Sequence, residues 1–342
     1  MYKSKIISLT LVLACSSAVA SSDLVKKAKS SGLVAIPAQK DALMKLIDDP
    51  KDPITDAKVE LGKKLYFDPR LSRSGLISCN TCHNLAMGGD DGVPAAIGHK
   101  WTANPHHLNS PTVYNAVFAS SQFWDGRSPN LADQAKGPMQ AAPEMATPAK
   151  LVQERVVSIP AYVKEFKKAY GDDVNITFEK VADTIATFEK TLVTPSRFDD
   201  FLNGDDKALN DAEKKGLQTF IDKGCVSCHT GIALGGTMQA FGITGKYKYA
   251  NVGDFKGDKN GMVKVPTLRN VSETAPYFHN GEIGTLKEAI QEMGRIQLGA
   301  KITDAEAGEI ETFLKALKGR KPAITYPQLP EETSTTPKPT FD

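Results

Sequence analysis

The chain has too few thiols for a disulfide framework, almost no surplus of either charge and no membrane-length apolar run. Five cysteines occur in 342 residues. Four of them fall in two short clusters and the fifth, Cys15, sits in an apolar run near the start, so nothing is left to build a disulfide framework. Forty-two basic side chains oppose 40 acidic ones, and without Lys3 and Lys5 the count is 42 − 2 = 40 against 40. A formally neutral chain with few runs of like charge argues against nucleic acid as a partner, because phosphate binding depends on clustered cations.

Residues 1–20 read as a secretory signal peptide: Lys3 and Lys5, an apolar core from Ile6 to Ala14, then the small residues of Ala18-Val19-Ala20. Such a leader is too short to span a membrane. A lipid anchor at Cys15 is the alternative, and Leu13 disfavours it because a small or β-branched residue belongs two places before a lipidated cysteine. The remaining length, about 320 residues, fits two domains of ordinary size.

What the chain does contain is a repeated cluster, Cys79-Asn80-Thr81-Cys82-His83 and Cys225-Val226-Ser227-Cys228-His229. Two thiols separated by two residues and followed at once by histidine form the attachment signature of c-type haem. The thiols bond to the haem vinyl groups and the imidazole ligates the iron from one face. Two copies predict two covalently bound haems. Because haem c is attached after export, the mature protein is expected in a bacterial periplasm.

The approaches to the two clusters match as well. Thr55 caps a predicted helix carrying Val59, Gly62, Leu65 and Tyr66, which Asp68-Pro69 stops. Asn210 and Glu213 form a capping box for a helix that buries Leu217, Phe220 and Ile221 and ends at Gly224. In each, a glycine precedes an aromatic by four residues. Glycine on a helix face costs about 1 kcal/mol relative to alanine, so Gly62 and Gly216 predict close helix–helix contact. This is similar to the N-terminal helix of small cytochromes c, which crosses a C-terminal helix. The partner predicted for the second half runs from Thr303 and Glu306 through Ile310, Phe313, Leu314 and Leu317 to Gly319. In the first half, Val181, Ile185, Phe188 and Leu192 recur at helical spacing before Pro195.

The domain division that follows is signal peptide 1–20, N-terminal haem domain 21–197, C-terminal haem domain 198–320 and an extended proline-rich tail 321–342. Between Gly88 and Met145 regular periodicity vanishes. The aromatic residues Trp101, Tyr114, Phe123 and Trp124 there favour an ordered functional segment over disorder.

The sixth iron ligand decides whether a haem carries electrons or performs chemistry. Thr285 and Glu288 box a helix with Leu286, Ala289, Ile290 and Met293 on one face, making Met293 a candidate ligand and Met262 its competitor. In the first half His99, His106 and His107 all follow the first cluster, and pattern alone leaves the three open.

Together these residues resemble the bacterial dihaem cytochrome c peroxidases, over a stretch from about Leu61 to Gly319. The likeness rests on both haem clusters, Gly98-His99, Asn109-Ser110-Pro111-Thr112, Phe123-Trp124-Asp125-Gly126-Arg127, Gln134, Glu144-Met145, Val265 to Asn270, Tyr277 to Gly281, and Met293. It implies a mainly α fold of two cytochrome c-like haem domains with long irregular loops, assembled as a homodimer. His83 and His99 would ligate the N-terminal haem iron, with His99 leaving on activation, and His229 and Met293 the C-terminal one. A calcium ion would be held by Asn109 and the carbonyls of Thr274 and Pro276, and Trp124 would lie on the electron route.

The activity implied is reduction of hydrogen peroxide to water by electrons from a soluble cytochrome c or copper protein. They would enter at the C-terminal haem and be used at the N-terminal one. Glu144 is the expected general acid–base and Gln134 the residue that orients peroxide. Two rivals remain: a related dihaem enzyme that oxidises tryptophan residues of a partner protein, which has tyrosine where Met293 stands, and a plain dihaem electron carrier.

Overall fold

The computed structural model describes residues 21–341; the leader expected over 1–20, Cys15 included, lies outside them. The fold is mainly α, as predicted. Among the described residues the named strands form two small antiparallel ribbons, Ile97–Gly98 with Thr102–Ala103 and Met238–Ala240 with Met262–Lys264.

Two helix crossings organise the molecule; the sequence paired the helices of the second and read both helices of the first without pairing them. The helix Asp56–Phe67, capped by Thr55 accepting from the Lys58 N–H, crosses the helix Phe178–Lys190. The helix Asp211–Asp222, capped by Asn210, crosses the helix Asp304–Lys315. At the first crossing a Cβ on Gly62 would run into the Thr184 carbonyl and lie 2.9 Å from Phe188 Cβ. At the second, a Cβ on Gly216 would meet the Glu309 carbonyl and lie 2.9 Å from Phe313 Cβ. Only glycine lets the backbones come this close.

Each crossing seeds its own apolar core. Leu61, Leu65 and Tyr66 pack with Val181, Ile185 and Phe188 in one; Leu217 and Phe220 pack with Ile310, Phe313 and Phe198 in the other. The segment 21–36, assigned from sequence to the N-terminal domain, packs instead on the second core through Leu24, Ala28 and Leu33. The reason is a buried ion pair. Asp199 and Arg269 are doubly bonded at 2.9 and 2.8 Å, Asp199 also accepts from the Ile36 N–H at 2.7 Å, and Arg269 reaches the Val34 carbonyl. The tail is packed, not loose: buried Arg155 donates to the carbonyls of Pro337 and Lys338 as well as to Arg70, Ser72 and Arg73.

The irregular loops repeat too. Pro111, Thr112, Asn115, Phe123 and Gly126 recur as Pro266, Thr267, Asn270, Phe278 and Gly281, all at one constant separation. Asn115 and Asn270 both adopt left-handed backbone, φ 62° and 60°, and both side-chain amides donate to Thr194 Oγ1, at 2.7 and 2.9 Å. The stretch from Gly88 to Met145 also holds a helix that periodicity missed, Leu131–Gln140. Gly137 and Pro138 interrupt its apolar pattern, while Asn130 caps it and Phe123 covers Gly137.

Candidate active site

The first cluster forms a short helix, Cys79–Cys82, after which the chain turns at His83. His83 Nδ1 donates to the Pro111 carbonyl at 2.9 Å, which leaves Nε2 as the nitrogen available to a metal. Burial holds His83 below the ordinary imidazole range and so keeps it neutral, the form that ligates. The Tyr66 hydroxyl fixes the same turn, donating to the His83 carbonyl at 2.6 Å.

The three histidines left open by the sequence differ sharply. His106 Nδ1 meets Asp254 at 2.8 Å and His107 Nε2 meets Glu282 at 2.9 Å. His99 is only 7% exposed, and neither ring nitrogen has a hydrogen-bond partner among the described residues. A buried polar group left unpartnered is costly, so this imidazole fits a metal as its missing partner. Its backbone is seated on Glu144, the His99 N–H donating to the Glu144 carbonyl at 2.7 Å. Gly98 permits that approach, since a Cβ there would collide with the Pro143 carbonyl and lie 2.8 Å from Glu144 Cα. The next two residues, Lys100 and Trp101, are both left-handed, at φ 60° and 56°.

Burial raises the Glu144 carboxyl above its usual range, and Arg127 and His106 pull weakly the other way. Gln134 lies in the helix Leu131–Gln140, which leads into the turn bearing Glu144 and makes no side-chain hydrogen bond through Gln134 among the described residues.

The second cluster opens onto an apolar cavity walled by Cys225, Cys228, His229, Phe220, His279 and Met293. His229 Nδ1 donates to the Leu234 carbonyl at 3.0 Å, again leaving Nε2 free. Met293 enters from the helix Leu286–Gln297 together with Leu286, Ala289 and Ile290, the face read from its spacing. Met262 lies on a ribbon strand and is not part of this wall.

A second cavity shares Trp124 and Lys264 with the first, and Asn109, Thr274 and Pro276 all line it. The Asn109 amide nitrogen donates to the Pro276 carbonyl at 2.7 Å, whereas its Oδ1 is buried without a partner. An orphaned oxygen beside backbone carbonyls fits a hard cation that takes oxygen ligands. The Trp124 indole N–H donates to the Asn109 carbonyl at 2.9 Å, and its ring borders both cavities.

Two residues bordering these cavities were given no role from the sequence. His279 is the repeat counterpart of Trp124; it sits 7% exposed among Trp124, Phe241, Tyr247 and Phe255, and burial pulls its pKa down to about 4. Lys264 is the counterpart of Asn109, buried and bordering both cavities. Aligning the two loops on their shared proline, threonine and asparagine would have found both.

A family model described as di-haem cytochrome c peroxidase matches residues 56–207. The chain is 47% identical over 301 residues to the cytochrome c551 peroxidase of Pseudomonas aeruginosa, covering 84% of this chain and 86% of that one. It is 46% identical over 287 residues to the cytochrome c551 peroxidase of Nitrosomonas europaea, covering 82% and 85%. A solved structure of a MauG-like protein associated with microbial copper homeostasis superposes with a TM-score of 0.68 at 25% identity, over 80% of this chain and 92% of that one.

Proposed function

The chain belongs to the di-haem cytochrome c peroxidase family, and we propose that it is a periplasmic enzyme reducing hydrogen peroxide to water with electrons from a soluble cytochrome c or copper protein. The observation that carries this reading is His99, buried with both ring nitrogens unpartnered in the half that holds Cys79–His83. When bound, the two haems supply one iron for peroxide reduction and a second that stores an electron apart from it.

The residues divide the work. Cys79 and Cys82 hold the N-terminal haem and Cys225 and Cys228 the C-terminal one. His83 and His99 would hold the iron of the N-terminal haem, and His229 and Met293 that of the haem that takes in electrons. His99 is displaced on activation, and because its N–H rests on the Glu144 carbonyl, its departure is coupled to the segment bearing the acid–base residue. The raised Glu144 carboxyl takes the proton from one peroxide oxygen and returns it to the other, so that water can leave. Gln134 donates a hydrogen bond that orients peroxide. Trp124, bordering both cavities, carries electrons between the centres. Asn109, Thr274 and Pro276 hold calcium at the junction, and the enzyme works as a homodimer.

Methionine at position 293 stands against the partner-oxidising relative. The deciding experiment is a peroxidase assay with a reduced cytochrome donor on fully oxidised and half-reduced holoprotein. Turnover only after half-reduction supports the reading with its His99 displacement. Absence of turnover in both states refutes it in favour of a plain electron carrier.

A further inference from the structure

Lys264 is an interior lysine whose ammonium meets no acidic side chain among the described residues. Its side chain is 9% exposed and borders both the His229–Met293 cavity and the junction cavity. Its backbone N–H donates to the Trp124 carbonyl at 2.8 Å, but its ammonium makes no hydrogen bond or salt bridge among the described residues. The carboxylate that attracts it, Asp125, is already bound by Arg127 at 2.8 Å. The same ammonium acts on His83 in the other half. Enclosing a cation without a counter-ion costs several kcal/mol, so an anion is expected to complete the site.

We propose that Lys264 is a carboxylate-binding residue whose ligand is a propionate of the haem in the His229–Met293 cavity, and that its positive charge raises the potential of that haem. The chemistry follows from the attachment. A haem tied by its vinyl groups to Cys225 and Cys228 presents its propionates at the part of the ring remote from those thiols. A lysine lining the same apolar cavity is the cation that can meet one. The repeat supports this: Asn109, at the equivalent position, offers a neutral amide to a cation, while Lys264 offers a cation to an anion. One loop design thus places two complementary side chains in the lining of one cavity.

The inference rests on the two-haem reading, and the first measurement separates them: a haemochrome assay of purified wild-type protein must give two haems per chain, or that reading fails by itself. Holoprotein carrying Lys264→Met or Lys264→Arg is then titrated electrochemically and examined by resonance Raman in the propionate-bending region. A positive charge about 10 Å from the iron at an effective dielectric near 20 is worth on the order of tenfold in the reduced-to-oxidised ratio. Lys264→Met should therefore lower that ratio for the C-terminal haem about tenfold at the wild-type midpoint, a drop of about 59 mV for one electron. Its propionate band should shift, and Lys264→Arg should keep the potential near wild type while still shifting the band. An unchanged midpoint and band in Lys264→Met overturns the proposal. If that variant does not accumulate, Lys264→Arg decides alone, an unmoved propionate band being the overturning result.

Discussion

Gly216→Ala and Gly308→Ala add the same methyl group to two helices that touch each other, and they should move stability in opposite directions. Alanine gains about 1 kcal/mol over glycine in a helix interior. At Gly308 a Cβ meets nothing within 4 Å, so that gain stands alone. At Gly216 the methyl would lie 2.9 Å from Phe313 Cβ and 3.0 Å from the Glu309 carbonyl carbon, with the carbonyl oxygen nearer still, where ordinary contacts begin at about 3.4 Å. The obstacle is helix backbone, which cannot rotate aside, so the helices Asp211–Asp222 and Asp304–Lys315 must separate. Overpacking of this kind costs about 1–3 kcal/mol or more, and the separation also loosens Phe220 and Phe313, both buried. The cost exceeds the propensity gain. Thermal and urea unfolding of holoprotein, followed by circular dichroism, should place Gly308→Ala above wild type and Gly216→Ala below it, by about 2–4 °C per kcal/mol. Gly216→Ala as stable as wild type would refute the close-contact reasoning, and with it the matching argument for Gly62.

Glu144→Ala should retain both haems yet lose most turnover, a loss of about 10²–10⁴-fold for a general acid–base; undiminished turnover removes that role. Because burial raises the Glu144 carboxyl and the proton transfer starts from its ionised form, wild-type activity should fall on the acid side at a higher pH than an ordinary carboxylate dictates. His99→Gly should make activity independent of prior half-reduction, and a persistent requirement in the peroxidase assay contradicts the displacement. Burial alone would raise Asp199, but Arg269 and the Ser196 and Ile36 amides hold it lower on balance, so it stabilises the fold above about pH 4, its unfolded value, and that contribution is lost as pH falls through the lower folded value. Arg269→Met should destabilise by about 3–5 kcal/mol at neutral pH, and because burial alone then raises Asp199 the deficit should shrink as pH falls, measured by urea unfolding at neutral and acid pH; an equal deficit at both argues against the pairing. A calcium chelator should lower the melting temperature of wild-type holoprotein but not of Asn109→Leu, and an equal effect on both excludes Asn109 as a ligand.

What could be read from the chain was what local pattern encodes. Thr55, Asn210 and Thr303 cap helices where their side chains predict, and Gly62 and Gly216 mark the crossings because a glycine on an apolar helix face has few other uses. Burial without a partner is a tertiary property. Hence His99 could not be separated from His106 and His107 by pattern, although their environments differ completely once Asp254 and Glu282 are in place. The helix Leu131–Gln140 was masked by Gly137 and Pro138, and the segment 21–36 by the long-range ion pair that recruits it. Lys264 was missed for a different reason: a charged residue in a loop is normally solvated, and only the repeat of the loop shows that this one occupies an interior position.

The two halves share crossings, loops and Cys-x-x-Cys-His clusters, yet the elements that carry Met293 and His99 differ. Met293 belongs to the helix Leu286–Gln297, capped by Thr285 and anchored by buried Leu286, Ile290 and Ile296. Withdrawing it means moving those side chains off their core. His99 belongs to a short loop closed by the Ile97–Gly98 and Thr102–Ala103 ribbon, with its N–H on the Glu144 carbonyl and its own carbonyl accepting from Thr102 Oγ1 at 2.9 Å, and it is followed by left-handed Lys100 and Trp101, the latter 64% exposed. Left-handed backbone at a non-glycine residue costs of order 1–3 kcal/mol, so leaving that conformation returns energy that offsets the lost hydrogen bonds. Of the two side chains, His99, on a loop with two strained residues, is therefore held less firmly than Met293, which is built into a packed helix.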